Sequence, residues 1–178
     1  MKPDYEKGCE QMHKSTHLAI AWIVKKVVKK NLEKKLKTFS FLYGSIKPDL
    51  SYELIKIPHF KEKSFGFIES QIGLLTQHRL KKNSYCSRHF SERLGIIIHY
   101  LSDFFCYAHR KTFRYGLIGH YIYELKLAYF FHKNLKPLSS SRYADILNPG
   151  LGYLDICSFI DKMHNNYLVK NPSYALDS

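Results

Sequence analysis

Leu94-Gly95-Ile96-Ile97-Ile98-His99-Tyr100-Leu101-Ser102-Asp103-Phe104-Phe105 is the stretch that decides the fold. Leu94, Ile97, Ile98, Leu101 and Phe105 recur at three- and four-residue spacing, so the segment predicts an amphipathic helix with a wide apolar stripe. His99 and Asp103 sit inside that segment at i and i+4, one turn apart on one face. An ionisable pair among isoleucines and phenylalanines costs several kcal/mol unless something compensates it. The helix is expected to run from about Ser87 to His109, with His109 six residues beyond Asp103 near its end.

Working outward, the same design recurs. A helix is expected over Leu117 to His132, and on it His120 and Glu124 again stand at i and i+4 among apolar residues. Tyr115-Gly116 reads as the connection between the two. Upstream, Ser15 or Thr16 can cap a helix reaching about Lys37, with Ile20, Ile23, Val24, Val27, Val28 and Leu32 on one side and lysines on the other. Gly44-Ser45-Ile46-Lys47-Pro48-Asp49 reads as a loop, punctuated by Gly and Pro. Another helix is expected over Ser64 to Lys81. Asn148-Pro149-Gly150 predicts a turn, followed by a last helix from Leu151 to Val169. Strand alternation is scarce, and no repeat or linker divides the chain. The expected fold is all-α: a single-domain helical bundle over residues 1–178, with a multinuclear metal site between helices.

Composition narrows the class. The 178 residues carry 28 Lys+Arg against 15 Asp+Glu, a net +13, and 45% are hydrophobic. That is too apolar for disorder and basic enough to favour an anionic partner. The longest apolar run near the start, Leu18 to Val24, is far short of the about 20 residues a membrane span needs. Met1 to Cys9 lacks the apolar region of a secretory signal, so the expected location is cytoplasmic, with peripheral contact to anionic membrane. Cys9, Cys86, Cys106 and Cys157 form no CxxC pair, which argues against a thiolate zinc knuckle and for reduced structural thiols.

Two helices, each presenting a His-x3-carboxylate pair, suit a metal ion closed from both sides. With nitrogen and oxygen donors and no thiolate, zinc leads, and manganese or iron stays open. His17, Asp49 and His59 are further ligand candidates, though spacing alone does not bring them together. His78, His89, His132 and His164 lie in polar stretches and are expected at the surface. The aromatics Tyr100, Phe104, Phe105, Tyr107, Tyr121 and Tyr123 are expected to serve mainly as core.

Taken together, these motifs resemble the bacterial zinc-dependent phospholipase C family, whose superfamily includes zinc-dependent single-strand nucleases. The resemblance is carried by Thr16-His17-Leu18-Ala19-Ile20-Ala21, by Gly44 to Asp49, by His59, by the His-x3-Asp-x5-His of His99, Asp103 and His109, and by the His-x3-Glu of His120 and Glu124. It implies two or three zinc ions. One would be held by His109, His120 and Glu124, a second by Asp49, His59 and His99. Asp103 would bridge the second to a third, which His17 also binds. Secreted members complete that third site with an N-terminal Trp. This chain begins with Met1, and Trp22 lies inside the first helix, so His13 or Asp4 is the expected substitute.

The resemblance also implies hydrolysis of a phosphate ester by metal-activated water, with Asp49 orienting or deprotonating that water. For a phospholipase C the products are diacylglycerol and a phosphorylated head group. The alternatives are a phosphodiesterase or nuclease acting on single-stranded nucleic acid, and a non-catalytic metal-stabilised domain that docks on membranes.

Overall fold

The computed structural model describes residues 14–32, 35–77, 86–110, 113, 115–133 and 152–170. Among these are six α-helices and no strand: α1 (Lys14–Leu32), α2 (Thr38–Ile46), α3 (Lys61–Thr76), α4 (Arg88–Phe104), α5 (Gly116–Lys133) and α6 (Tyr153–Val169). Two single 3₁₀ turns, Lys47–Asp49 and Tyr107–His109, follow α2 and α4. No described helix is long and apolar enough to cross a membrane.

The all-α expectation holds, with shifted boundaries. The first predicted helix, expected to reach about Lys37, ends at Leu32, and a second helix that was not expected starts at Thr38. Thr16 does not cap α1; it lies inside the helix, fully buried. Residues 44–46, read as loop, close α2, and Pro48 occupies the first turn of the 3₁₀ segment. There its missing N–H costs nothing and its fixed φ is already suitable. The predicted helix from Ser87 ends at Phe104, five residues early, and His109 belongs to the separate 3₁₀ turn. His13, Asp4, His78 and the Asn148-Pro149-Gly150 turn lie outside the described residues.

Helix α4 is the axis of the bundle. Ser87 caps it, its side chain accepting a hydrogen bond from the Phe90 N–H at 3.0 Å. One side of α4 packs Ile97, Tyr100 and Phe104 against Ile68 and Ile72 of α3 and Cys157 and Ile160 of α6. Its other side meets α2 at backbone range. A Cβ on Gly95 would stand 2.4 Å from the Phe41 carbonyl oxygen and 2.7 Å from the Ser45 nitrogen. One on Gly44 would stand 2.1 Å from the Glu92 carbonyl oxygen. Only residues without a Cβ permit this approach, and it sets the register of α2 on α4.

Helix α5 packs against α1 and the second 3₁₀ turn. His120, Tyr123, Glu124 and Ala128 point inward, whereas Ile118, Tyr121, Ile122, Leu125 and Tyr129 stand exposed on its outer side. Tyr121, expected in the core, is therefore not there. His164 departs from expectation the other way: it is buried, with its ring 5.7 Å from that of Phe105.

Candidate metal centre

The eight residues predicted as ligands converge. His17, Asp49, His59, His99, Asp103, His109, His120 and Glu124 are all buried. Their donor atoms form three groups, each lying within 4.8 Å: His17 with His99 and Asp103; Asp49 with His59 and His99; and His109 with His120 and Glu124. Helix geometry supplies the pairs from α4 and α5. The rest comes from four other places: the first turns of α1, the 3₁₀ turn at Asp49, the segment before α3, and the 3₁₀ turn at His109.

Two neighbours to which the sequence reading gave no role, Ser102 and Ser45, fix the histidine rings. The Ser102 hydroxyl donates to the His99 carbonyl at 2.7 Å and therefore accepts from His17 Nδ1 at 3.0 Å. His99 Nδ1 donates to the Ser45 carbonyl at 2.9 Å. Both imidazoles thus carry their proton on Nδ1 and turn a lone pair on Nε2 inward. Such outer hydrogen bonds are what orient metal-binding histidines. Sequence offered one signal for this: Gly95, a glycine in the middle of an otherwise strong helix, marks a close backbone approach.

What those lone pairs face is decisive. His17 Nε2 lies 3.5 Å from Asp103 Oδ1, and His99 Nε2 lies 3.4 Å from Asp49 Oδ1 and 3.3 Å from Asp103 Oδ2. His109 Nε2 lies 3.6 Å from Glu124 Oε1 and 3.8 Å from Asp103 Oδ1. An acceptor opposite an acceptor repels unless a cation sits between them. Ligands bonded tetrahedrally at about 2.0–2.2 Å are themselves about 3.3–3.6 Å apart, which matches the spacing of the His17, His99 and Glu124 contacts. Tighter contacts lie between and within the groups: His59 Nδ1 to Asp103 Oδ2 joins two of them, and His120 Nε2 to Glu124 Oε1 closes the third, each at 2.6 Å.

His17 Nε2, both Asp49 oxygens, His59 Nε2, Asp103 Oδ1 and His109 Nε2 are buried with no hydrogen-bond partner. Each such group costs about 1–3 kcal/mol. Together they rival the whole stability of a domain, about 5–15 kcal/mol. Positive charge placed among them removes most of that penalty.

The ionisation of the bare site points the same way. Burial, reinforced by neighbouring carboxylates, pushes Asp49 up to about 7, and burial does the same to Asp103. Burial holds His17 and His99 well below the ordinary imidazole range, helped by the facing histidines, and lowers His59 as well. Burial acts to raise Glu124, but the imidazoles of His109 and His120 beside it outweigh it, and its carboxyl ends below the usual range. His17, His59 and His99 are therefore held neutral, as ligands must be, and Asp49 and Asp103 are raised as carboxylates without a cation are.

A family model described as zinc dependent phospholipase C matches residues 16–174. The chain belongs to the zinc-dependent phospholipase C family. No curated protein and no solved structure matches the chain at a significant level. Membership and donor set agree: the nitrogen-and-oxygen clusters fit zinc, and the family is a family of zinc-dependent hydrolases. Beside His109 a cleft of about 190 Å³ is lined by Lys61, Glu62, Phe104, Arg110, His164 and Leu168. It brings mixed charge to the edge of the donor clusters.

Proposed function

We propose that this chain hydrolyses the phosphodiester of a phospholipid, yielding diacylglycerol and a phosphorylated head group. The observation that carries the reading is the ring of buried acceptors facing acceptors around His17, His99 and Asp103. In this reading two or three ions are held: one by His109, His120 and Glu124, one by Asp49, His59 and His99, and a third by His17 and Asp103 beside His99. Asp103 presents one oxygen to His59 and His99 and the other to His17 and His109, as a bridging carboxylate would.

Zinc bound there supplies Lewis acidity, lowering the pKa of coordinated water toward about 7 and drawing charge off phosphoryl oxygens. The protein's own share is positioning. Ser102 and Ser45 lock the tautomers of His17 and His99, so the lone pairs are aimed before substrate arrives. Asp49 keeps one oxygen toward His99 and leaves the other to orient the attacking water and accept its proton. As the oxygen–phosphorus bond forms, the phosphorus–glyceryl oxygen bond breaks, and the proton passes to the departing alkoxide. The cleft at His109, with Lys61 and Arg110 on its walls, gives the phosphate an approach.

Lipid is favoured over nucleic acid by the surface. The helix that carries His120 and Glu124 inward exposes Ile118, Tyr121, Ile122, Leu125 and Tyr129 outward, an apolar edge suited to a lipid interface. The test combines elemental analysis with hydrolysis of phosphatidylcholine vesicles and of single-stranded DNA. Two or three zinc ions per chain with turnover on vesicles is the expected outcome. Less than one ion per chain, in protein never exposed to chelator, sinks the ligand assignment; turnover on DNA alone replaces the substrate.

A further inference from the structure

A second cavity, of about 320 Å³, lies between α1, α4 and α5. Its walls include Ile20, Val24, Leu101, Phe105, Leu127 and Phe131, and Ser102 contributes a hydroxyl. Side chains of this kind in a cavity above about 300 Å³ are what a small apolar ligand requires.

The place of the cavity gives it meaning. On α1, His17, Ile20 and Val24 stand at i, i+3 and i+7, so the ligand histidine and the cavity wall share one face. On α5, His120, Glu124, Leu127 and Phe131 stand at i, i+4, i+7 and i+11. On α4, Ser102 is at once part of the wall and the partner of His17 Nδ1. The stripes that hold the zinc ligands therefore continue, about one 5.4 Å turn further, as the lining of the cavity. In a phospholipid the acyl chains attach a few bonds from the phosphate, so the two sites stand in the order the substrate needs.

We propose that this cavity holds one acyl chain of the substrate lipid, an inference that rests on the phospholipase reading above. Binding into it follows chain length, because each buried methylene adds about fourfold in affinity. The gain stops at the chain that fills the space.

The experiment uses methyl-labelled full-length protein, titrated with n-alkanols from hexanol to dodecanol and then with dihexanoyl phosphatidylcholine. The protein is kept zinc-loaded, and the phospholipid is supplied as its non-hydrolysable phosphonate analogue so that nothing is consumed. Decanol is expected to shift the methyls of Ile20, Val24 and Leu127, with affinity rising about fourfold per methylene, and the phospholipid is expected to displace it. Ile20→Phe and Leu127→Phe, which fill the cavity from opposite helices, each flatten that series. In zinc-loaded protein, the ratio of kcat/KM for dihexanoyl over dibutyryl phosphatidylcholine falls toward unity in both variants. Using a ratio cancels any general loss of activity.

Decanol shifting methyls elsewhere, or none, overturns the proposal. So does decanol seated in the cavity but not displaced by the phospholipid. If no phosphodiester is turned over but phospholipid displaces decanol, the function fails and the cavity assignment stands. Turnover without decanol binding overturns the cavity assignment and leaves the function standing. If one variant does not fold, the wild-type titration and the other variant still decide.

Discussion

Gly95→Ala is a change of one methyl group, and it should damage the metal centre. The added Cβ would lie 2.4 Å from the Phe41 carbonyl oxygen, 2.7 Å from the Ser45 nitrogen and 2.8 Å from the Gly44 carbonyl carbon. All three are backbone atoms, so no rotamer change relieves the contact. Ordinary contact begins at 3.4 Å, so α2 must retreat from α4 by about 1 Å. Overpacking of this kind costs about 1–3 kcal/mol, which lowers Tm by about 2–12 °C in a chain of this length. The same retreat strains the Ser45 carbonyl's bond to His99 Nδ1, now 2.9 Å. An added 0.7 Å or about that takes it to 3.6 Å, where it is no longer a hydrogen bond. His99 donates to two of the three clusters, and losing an outer hydrogen bond typically costs 10–100-fold in metal affinity. The assay pairs thermal unfolding with zinc affinity from chelator competition. Gly66→Ala is the control: nothing lies within 4 Å of a Cβ there, and it should gain about 0.5–1 kcal/mol. Wild-type Tm and wild-type zinc affinity in Gly95→Ala would refute the close-approach account. A lowered Tm with unchanged affinity would leave the packing correct and break its link to His99.

The separate clusters predict separate losses: His120→Ala and His99→Ala should each lower bound zinc by about one ion per chain, and the double variant by about two, all read by elemental analysis. A double variant that loses no more than either single one would contradict the grouping. Ser102→Ala should weaken one ion by about 10–100-fold while leaving the other sites near wild type, measured by stepwise chelator competition. Removing all zinc leaves the buried Asp49, Asp103 and histidine acceptors uncompensated, so Tm should fall and return on adding zinc back; an unchanged Tm would show that the bare cluster carries no penalty. His164→Ala should cost about 1–3 kcal/mol in denaturant unfolding without loss of zinc, because its ring packs on Phe105 and Tyr167 and belongs to none of the three clusters.

Much of the site is legible in the sequence because helix periodicity carries its two paired halves. Four-residue spacing places His99 over Asp103 and His120 over Glu124 whatever the rest of the chain does. Their apolar surroundings demand compensation, and that alone suggests a metal. Asp49 and His59 are legible as residue types and as parts of family motifs, but no local rule brings them to α4. His164 misleads for the same reason: polar neighbours in sequence say little about which side of α6 faces the core.

The sequence by itself determined the fold class, the ligand chemistry and which ligands share a helix face, since these follow from periodicity and side-chain type. Only the tertiary structure decided how the helices are set against one another. That register comes from Gly44 and Gly95, where two backbones touch because no Cβ intervenes, and it delivers the Ser45 carbonyl to His99. It also decided that His17 meets Ser102, that Asp103 faces four histidines at once, and that an apolar cavity continues the ligand-bearing stripes. Contacts between residues far apart in the chain depend on packing across helices, and packing has no period to be read in one dimension.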